Sequence, residues 1–475
     1  MATIKLFSIY LRVPYLILAL CEATMFYTAV YFAVMVRFAT FDLSNDVIIN
    51  SNLDNLSAKA MLFAAVMTLA MVAMGQYQTQ QYLSANNIRL TLLKIVFSMG
   101  FGTLALIVLY YLLPSLYVGR GVTAIAIAIS MLGILFIRET FYLSLDGNVL
   151  RQRVLILGTG HNAAELIANS KGQIDGRSYK LVGFVKSEYD ACSVDPKLIL
   201  NDDIDLESLI KKYQIDEVVF AVDDRRDNCP TEALLRSKMA GISITDPVTF
   251  LEREQGKVNL HLFQPSWMIF GDGCHHNYLQ DMIDRAFDIV ASLFIVILLM
   301  PVLLFAAFLI GLESGFKHPI FYRQTRVGLN GHEFELLKFR SMKPDAEAFG
   351  KAVWASKNDQ RVTHIGRFLR ATRIDELPQA LNILKGDMRL IGPRPERPEF
   401  VDALNEEFPM YRQRHSIKPG LAGWAQLRYP YGATIDDAYE KLQYDLYYIK
   451  NHGLIMDFFI LIQTLEIVIF GKGAR

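Results

Sequence analysis

Cysteine is scarce in this chain of 475 residues, and its spacing bears on two kinds of site. Cys21, Cys192, Cys229 and Cys274 lie far apart, which argues against both a zinc site and a disulfide framework. A basic excess is also missing, since lysine plus arginine and aspartate plus glutamate number 48 each. The chain as a whole therefore lacks the charge expected of a nucleic-acid-binding protein. The first apolar stretch has no clear small-residue cleavage site after it, so we expect a retained helix and not a signal peptide.

Apolar residues, in contrast, make up 52% of the chain, and the mean hydropathy is positive. This composition is too apolar for an ordinary soluble protein of this length. Four apolar runs fall near residues 13–36, 59–75, 88–113 and 120–138, of which the second is the weakest. Each is long enough, or nearly long enough, to cross a bilayer. The sequence thus predicts an N-terminal four-helix transmembrane bundle over residues 1–145.

Basic residues flank this bundle at both ends. Lys5 and Arg12 precede the first run, whereas Arg138, Arg151 and Arg153 follow the fourth. By the positive-inside rule, both ends of the bundle are predicted to face the cytoplasm.

A glycine turn follows the bundle. Residues 153–164 read as a strand, a Gly158-Thr159-Gly160 turn and the start of a helix, which is the opening of a βαβ unit. Further strands near 180–185 and 217–222, and helices near 206–213 and 231–240, predict a small Rossmann-like domain over residues 150–247.

The role of this domain stays open at the level of sequence. Its glycine pattern suits a nucleotide phosphate at a helix N-terminus, but no acid is obviously placed after the second strand to hold a ribose. A structural or regulatory role is the alternative. Residues 248–278 form a connector with no assigned chemistry.

A second kind of apolar segment spans residues 289–312, with Pro301 near its middle. Arg285 precedes it, and Lys317 and Arg323 follow it. Since both flanks are basic, a proline-bent helix that enters and leaves the membrane by one face satisfies the charge rule. The alternative is a fifth transmembrane helix kinked by proline.

Two adjacent acids, Asp375 and Glu376, lie between basic clusters, with Pro378 and an amphipathic run directly after them. Near a helix N-terminus, the helix dipole and neighbouring arginines keep carboxylates ionised. An ionised aspartate can act as a nucleophile, and an ionised glutamate can bind Mg²⁺. The plainer alternative makes Asp375 an N-cap and Glu376 a first-turn acid.

Several clusters combine cations with glycine or proline, so that rigid turns can present them to a polyanion such as a diphosphate. Lys338 and Arg340 form one cluster, Pro393 and Arg394 belong to a second, and Lys418 opens a third. Each alone is more often a solvated face or a lipid-headgroup contact.

From about residue 280 to 475 the chain resembles the bacterial sugar transferases, which are polyprenyl-phosphate hexose-1-phosphate transferases, also called monotopic phosphoglycosyl transferases. The matching elements are the membrane segment with Pro301, Arg323-Gln324, Arg326-Val327-Gly328, Lys338-Phe339-Arg340-Ser341-Met342, Asp375-Glu376-Leu377-Pro378-Gln379, Gly392-Pro393-Arg394-Pro395, Lys418-Pro419-Gly420 and Gly423-Trp424-Ala425-Gln426. With its N-terminal helices and Rossmann-like domain, the chain resembles the long form of this family. Residues 428–432 resemble an exosortase-associated subgroup.

The resemblance implies transfer of a sugar 1-phosphate from a UDP-sugar to polyprenyl (undecaprenyl) phosphate, with release of UMP. It implies a covalent intermediate on Asp375, with Glu376 as a Mg²⁺ ligand. The phosphate contacts that it implies are Lys338, Arg340, Arg370, Arg394 and Lys418, with Pro393 shaping the turn. This reaction is the first membrane step of exopolysaccharide or O-antigen synthesis. Glucose or galactose is the expected sugar.

Together these features predict a membrane protein of the α/β class. It has a four-helix transmembrane bundle, a small Rossmann-like domain and a mainly helical catalytic domain over residues 279–475. The catalytic domain contains a re-entrant membrane helix over about 283–312, which includes Arg285 and Pro301. The expected location is the bacterial inner membrane, with the catalytic domain on the cytoplasmic face. A homodimer is one option for its assembly.

Two departures from the family pattern are Met300 and Arg389, each where serine is frequent. The second is expected to bear on donor choice. The C-terminal run over residues 454–470 holds Asp457, Gln463 and Glu466, so we expect a helix lying on the membrane interface, with a spanning helix as the alternative.

Two other classes of function share features with this sequence. A membrane-bound nucleotide-sugar dehydratase also joins four helices to a Rossmann domain, but it needs NAD and a Tyr-x-x-x-Lys pair, which this sequence lacks. A non-enzymatic polysaccharide-assembly scaffold would leave the acid pair without a role.

Overall fold

The computed structural model describes residues 3–6, 9–39, 55–74, 76–77, 88–145, 151–169, 179–186, 190–200, 205–224, 230–262, 278–343, 361–429, 432 and 434–469. Contacts divide the chain into two units. One comprises Met1–Leu6 and Tyr10–Phe250, and the other comprises Phe7–Ile9 and Leu251–Arg475.

The first unit begins with two short strands and four long apolar helices. The strands are β1 (Thr3–Leu6) and β2 (Ile9–Arg12), and the helices are α1 (Val13–Ala39), α2 (Leu56–Ala73), α3 (Ile88–Leu112) and α4 (Arg120–Leu145). All four helices are long and apolar enough to cross a membrane. This confirms the four apolar helices that the sequence predicts.

A buried ion pair crosses the interior of this helical bundle. Arg138 Nε lies 2.6 Å from Glu22 Oε1, and both side chains are buried. Gln76 accepts a hydrogen bond from Arg138, and Tyr77 donates one to Glu22. Arg138 thus lies within α4 and pairs with Glu22 in the interior of the bundle, whereas the sequence alone suggests a residue of the basic flank. Arg151 and Arg153 remain on that flank.

A four-stranded parallel sheet follows the bundle in the chain. Its strands are β3 (Gln152–Leu157), β4 (Tyr179–Val185), β5 (Glu217–Phe220) and β6 (Ser243–Thr245), in the order β4-β3-β5-β6. The helices between them are α5 (His161–Asn169), α6 (Leu206–Tyr213) and α7 (Thr231–Met239). The small parallel sheet agrees with the predicted Rossmann-like pattern, within one or two residues at most element ends.

Helix α8 (Pro247–Gln255) is followed by two apolar helices, α9 (Tyr278–Leu298) and α10 (Met300–Glu313), which meet at a bend of 61°. Pro301 lies in the first turn of α10, where its missing amide hydrogen leaves no helical bond unmade. The break at Leu299 is therefore where the sequence places it.

The second unit contains two small sheets. Strands β7 (Phe321–Val327) and β8 (Glu333–Phe339) pair antiparallel, and β9 (Arg389–Ile391) pairs in parallel with β10 (Gly420–Ala422). The backbone of β10 lies very close to the residue that follows β9, since a Cβ on Gly420 would lie 2.0 Å from the Gly392 nitrogen. Glycine at this position is thus a steric requirement.

The described residues of the second unit include six further α-helices. They are α11 (His364–Ala371), α12 (Gln379–Lys385), α13 (Pro398–Glu407), α14 (Trp424–Arg428), α15 (Ile435–Asn451) and α16 (Leu454–Ile469). Their shared core includes Ile383, Leu390, Leu446 and Ile460. Because Met456 and Ile460 of α16 are buried in this core, one face of α16 packs on the protein. Its position at the membrane interface stays a prediction.

Part of the predicted connector packs against the second unit. Glu252 is fully buried and accepts hydrogen bonds from Lys450 Nζ and Asn451 Nδ2, each at 2.8 Å. The indole nitrogen of Trp424 donates to the Gly256 carbonyl at 2.8 Å. Residues that carried no assigned chemistry in the sequence therefore contribute to the interior of this unit.

Candidate active site

The acid pair lies in a single 3₁₀ turn, Ile374–Glu376, between α11 and α12. The turn starts from Arg373, a non-glycine residue in the left-handed region with φ 60°. Helix α12 begins only at Gln379, with Pro378 in the N-cap position. Interpreting Asp375 as an N-cap is therefore wrong, because neither acid occupies the capping position of α12.

Glu376 is bound by two cations. Lys338 Nζ lies 3.1 Å and Arg394 Nη2 lies 3.0 Å from the same oxygen, Oε1. The side chains of Glu376 and Lys338 are 13% and 18% exposed, whereas that of Arg394 is 40% exposed. The structure thus brings together three residues that the sequence predicts, from three separate parts of the chain.

The pKa values of the two neighbouring acids are shifted in opposite directions. Asp375 is only 7% exposed. Burial and the charge of Glu376 raise the pKa of Asp375 to about 6, against the opposing charges of Lys338, Arg370 and Arg373. Burial alone would also raise the pKa of Glu376, but Lys338 and Arg394 outweigh it and hold that pKa well below its usual range. Both acids are therefore ionised at neutral pH.

The amide side chain of Asn382, on α12, holds β8, the strand that carries Lys338. Asn382 Oδ1 accepts from the Leu337 amide at 3.0 Å, and Asn382 Nδ2 donates to the Glu335 carbonyl at 2.7 Å. The buried Asn382 side chain thus fixes α12 against the strand that carries Lys338. Burial lowers the pKa of Lys338, whereas Glu376 opposes that shift.

The other predicted cations differ in how they relate to the acid pair. Arg370, in the last turn of α11, acts on Asp375 through its charge. Arg340 follows Lys338 by two residues, and its amide donates to the Ile320 carbonyl at 2.9 Å. Lys418 lies elsewhere, beside Gly386 at the C-terminal end of α12. A phosphate contact from Lys418 stays a prediction.

Arg285 contacts α12 directly. Its Nη1 and Nη2 atoms donate to the carbonyls of Ile383 and Leu384 at 2.6 and 2.7 Å. These carbonyls belong to the last turn of α12, where a cation is favoured by the helix dipole. The apolar helix pair and the helix that follows the acid pair are thus joined at this point.

Arg389 does not line the acid pair. Its guanidinium lies within 2.9 to 3.5 Å of Asp284 and Asp288 on α9 and of Asp457 on α16. The expectation that Arg389 bears on donor choice therefore lacks a contact to support it, because the side chain is engaged with the bent helix pair.

The sequence did not single out the buried residues behind Arg394. Arg414 Nη2 donates to the Arg394 carbonyl at 2.9 Å and also lies 2.9 Å from Asp445 Oδ2. Arg414 precedes the Lys418 cluster by four residues, so a wider window around that cluster would have included it.

Backbone amides of the glycine turn after β3, and of the helix start that follows it, donate to two carboxylates from later in the chain. Asp223 accepts from the amides of His161 and Asn162, both at 2.8 Å. Asp190, which follows β4, accepts from the Thr159 amide at 3.1 Å. An acid after the second strand is thus present, and Asp223 occupies the position where a helix N-terminus would receive a phosphate.

Among the described residues, no group of three or more His, Cys, Asp or Glu side chains is arranged to hold a metal ion. The two adjacent carboxylates could still supply oxygen ligands to Mg²⁺, a cation that usually keeps several waters and takes further oxygens from substrate phosphates. The residues present therefore fit a metal ion that binds together with a diphosphate.

Residues 279–471 match the family model described as bacterial sugar transferase. Over 212 residues the chain is 43% identical to UDP-N-acetylgalactosamine-undecaprenyl-phosphate N-acetylgalactosaminephosphotransferase of Aeromonas hydrophila, which covers 43% of this chain and 49% of that protein. It is 39% identical over 200 residues to undecaprenyl-phosphate glucose phosphotransferase of Komagataeibacter xylinus, covering 41% and 37%. It is 41% identical over 189 residues to exopolysaccharide production protein PSS of Rhizobium leguminosarum bv. phaseoli, covering 39% and 94%.

The chain therefore belongs to the bacterial sugar transferase family, as its motifs predict. The matches to the Aeromonas and Komagataeibacter proteins span about half, or less, of their lengths.

Proposed function

We propose that this protein transfers a sugar 1-phosphate from a UDP-sugar to undecaprenyl phosphate and releases UMP. The observation that carries the proposal is the contrast between the two acids. Glu376 is held by two cations, whereas its neighbour Asp375 has a pKa raised to about 6 and is ionised at neutral pH. A buried carboxylate of that kind is more basic than a solvated one and suited to attack phosphorus.

In the proposed reaction, a carboxylate oxygen of Asp375 attacks the phosphorus next to the sugar. The new bond joins that oxygen to phosphorus, and the bond to the bridging oxygen breaks, so UMP leaves with the electron pair. A phosphate oxygen of undecaprenyl phosphate then attacks the same phosphorus and releases the Asp375 carboxylate. This order lets one site handle a water-soluble donor and a membrane-bound acceptor in turn.

The cations around Glu376 have different access to a substrate. Arg394, at 40% exposure, can turn one edge of its guanidinium to a diphosphate, whereas Lys338, at 18%, stays mainly with Glu376. Arginine binds phosphate oxygens in a bidentate manner, which would orient the donor for attack by Asp375. Mg²⁺, bound through Glu376 together with the diphosphate, would neutralise charge that otherwise repels the attacking carboxylate.

The named relatives support the substrate class. Two carry names for N-acetylgalactosamine-phosphate and glucose-phosphate transfer to undecaprenyl phosphate. We therefore propose UDP-N-acetylhexosamines as donors, in addition to the expected UDP-glucose and UDP-galactose. The name of the third relative supports a role in exopolysaccharide production.

The bent helix pair supports a re-entrant membrane segment. Arg285 holds the start of α9 to α12. Glu313 holds the end of α10 to α11, because it accepts a hydrogen bond from the Ile365 amide at 3.1 Å. Ala306 and Ile310 of α10 are buried with Leu369. A single span would separate the two ends by about 30 Å of hydrocarbon. Both ends instead pack on the second unit, here called the catalytic unit, so the pair would enter and leave by one face.

We further propose that the four apolar helices cross the bacterial inner membrane and that the catalytic unit lies on its cytoplasmic face. Large apolar side chains near the bend, including Leu293, Phe294, Leu304 and Phe305, are exposed and suited to lipid. Single cysteines introduced near Arg285 and Lys317 should label from the same side of sealed vesicles. Labelling from opposite sides would require a spanning helix.

The function is tested with purified protein in detergent, given undecaprenyl phosphate, Mg²⁺ and each of a panel of UDP-sugars. UMP should form with at least one donor, in repeated turnovers when the acceptor is present and in no more than one equivalent per enzyme when it is absent. Glu376→Gln should raise the Mg²⁺ concentration needed for half-maximal rate. If no UDP-sugar yields UMP and a lipid-linked sugar, the proposed function is wrong.

A further inference from the structure

The loop that carries Arg394 is held at three consecutive carbonyls by donors from outside the loop. These hydrogen bonds run from Gly420 N to Pro393 O at 2.9 Å, from Arg414 Nη2 to Arg394 O at 2.9 Å, and from Arg326 Nη1 to Pro395 O at 3.0 Å. A loop fixed at successive peptide groups loses most of its freedom to move before a substrate binds.

The donor to the Arg394 carbonyl is itself buried. The side chains of Arg414 and Asp445 are only 5% and 3% exposed, and Arg414 Nη2 lies 2.9 Å from Asp445 Oδ2. The second terminal nitrogen of Arg414 donates to the hydroxyl of Tyr411, which is also buried. A guanidinium enclosed in this way cannot reach a substrate, and burying it is costly unless each partner is well placed.

We propose that Arg414 is a positioning residue: held by Asp445 and Tyr411, it fixes the Arg394 backbone and so directs the Arg394 guanidinium toward the donor diphosphate. This inference rests on the proposed function, since it assigns Arg414 a role in that reaction. The planar fork of arginine suits the task because two partners of Nη2 and one of Nη1 are satisfied at once. Lysine at this position could hold only part of the set.

The main competing explanation is an ion pair that only stabilises the core. The two explanations differ in one respect. A positioning residue acts through Arg394, so its replacement should have little further effect once the Arg394 side chain is gone. A purely structural residue should weaken activity by the same factor in either background.

The experiment is a double-mutant cycle of Arg414→Lys and Arg394→Ala in the full-length protein, measured as kcat/KM for the best UDP-sugar. Arg414→Lys alone should lower kcat/KM about tenfold to hundredfold. In the Arg394→Ala background it should lower kcat/KM less than about twofold. Equal losses in both backgrounds, or no loss in the first, would overturn the inference.

A second measurement does not depend on turnover. Hydrogen exchange of the peptide covering residues 392–397 should be at least about tenfold faster in Arg414→Lys than in the wild type. The matched control is Arg428→Lys, another arginine of the same unit, whose guanidinium stacks over Trp424 at 4.2 Å. This control should leave both exchange of the loop and kcat/KM close to wild type.

The two measurements separate the possible failures. A wild type that forms no UMP from any donor contradicts the proposed function, and exchange of the loop then still decides whether Arg414 fixes it. A wild type that is active while Arg414→Lys leaves exchange unchanged contradicts the positioning role alone.

Discussion

Arg394 Nη2 lies 3.0 Å from Glu376 Oε1, and the two side chains differ threefold in exposure, at 40% and 13%. Lys338 contacts the same oxygen from a more buried position. The two cations of one carboxylate are therefore not equivalent. One is placed to exchange its partner for a substrate, and the other is placed to keep Glu376 ionised.

Replacing these two cations should separate binding from stability. Arg394→Ala should raise KM for the UDP-sugar about tenfold or more, because a charge-assisted hydrogen bond to phosphate is lost, while the melting temperature changes little. Lys338→Met should lower the free energy of unfolding by about 1–3 kcal/mol, because a buried carboxylate loses one of its partners. Steady-state kinetics and thermal unfolding in detergent measure both. Identical effects of the two variants would contradict the division of roles.

The ionisation of Asp375 should set the acid limb of the pH profile. Its pKa is raised to about 6 and the attacking form is the carboxylate, so kcat/KM should rise with pH through about 6 and level off above it. Asp375→Asn should remove turnover, together with the exchange of labelled UMP into UDP-sugar in the absence of lipid acceptor. A profile that is flat from pH 5 to 8 would contradict the assignment of Asp375 as nucleophile.

Ionisation of the Asp375 carboxylate should lower the free energy of unfolding. Because the folded-state pKa of Asp375 is raised from 3.8 to about 6, the fold binds this proton more tightly than the unfolded chain does. The contribution to stability is present at low pH and is lost as pH rises from about 4 to about 6. At pH 7.5, Asp375→Asn should therefore stabilise the protein, by up to about 3 kcal/mol. At pH 4 the gain should disappear, and thermal unfolding at both pH values tests this sign.

Much of this site could be predicted from local sequence, because its reactive residues occur in short motifs. Lys338 and Arg394 were predicted as phosphate contacts and Glu376 as a Mg²⁺ ligand, and the structure joins the three side chains. Asn382 and Arg414 were missed for a physical reason. Their roles depend on hydrogen bonds to backbone groups 45 and 20 residues away, and no local pattern specifies such partners.

The fold likewise has features that local sequence predicts and features that depend on distant partners. The apolar runs of α1 to α4 specify long helices by composition alone, and the alternation of strands and helices specifies the small parallel sheet. The pairing of Arg138 could not be predicted because its counter-ion, Glu22, lies 116 residues earlier in the chain. Long-range pairing of this kind decides whether a charge is a flank or part of a core.

The Rossmann-like domain should not bind a nucleotide phosphate at its glycine turn. Asp223 already accepts hydrogen bonds from the amides of His161 and Asn162. An incoming phosphate would therefore have to displace the Asp223 carboxylate, and the nearby charge of Asp190 would repel it. NAD⁺ and ADP at millimolar concentration should leave the melting temperature unchanged. Asp223→Ala should lower the stability of this domain by about 1 kcal/mol, as loss of an N-terminal helix cap does. A saturable rise in melting temperature with the wild type would contradict this prediction.

The catalytic unit should need residues that precede its membrane segment. The motifs all lie beyond residue 275, which would favour a fragment beginning there. Glu252, however, accepts from the buried Lys450 and Asn451 at 2.8 Å, and a fragment from residue 275 leaves that ammonium group buried without this partner. An uncompensated buried charge costs about 3–5 kcal/mol. A fragment from residue 246 should therefore fold and form UMP in lipid nanodiscs, whereas one from 275 should unfold at a lower temperature or aggregate.

Single substitutions in the full chain separate the loss of this ion pair from other effects of truncation. Glu252→Gln should destabilise the catalytic unit in the same direction as removal of residues 246–274, because the amide cannot neutralise Lys450. Glu252→Gln combined with Lys450→Met should recover part of the loss, since no charge then remains buried. The matched control is Glu440→Gln, which removes a carboxylate 2.8 Å from Lys257 at a more exposed position and should change the melting temperature little. If Glu252→Gln and Glu440→Gln behave alike, the buried pair is not what makes the connector part of the catalytic unit.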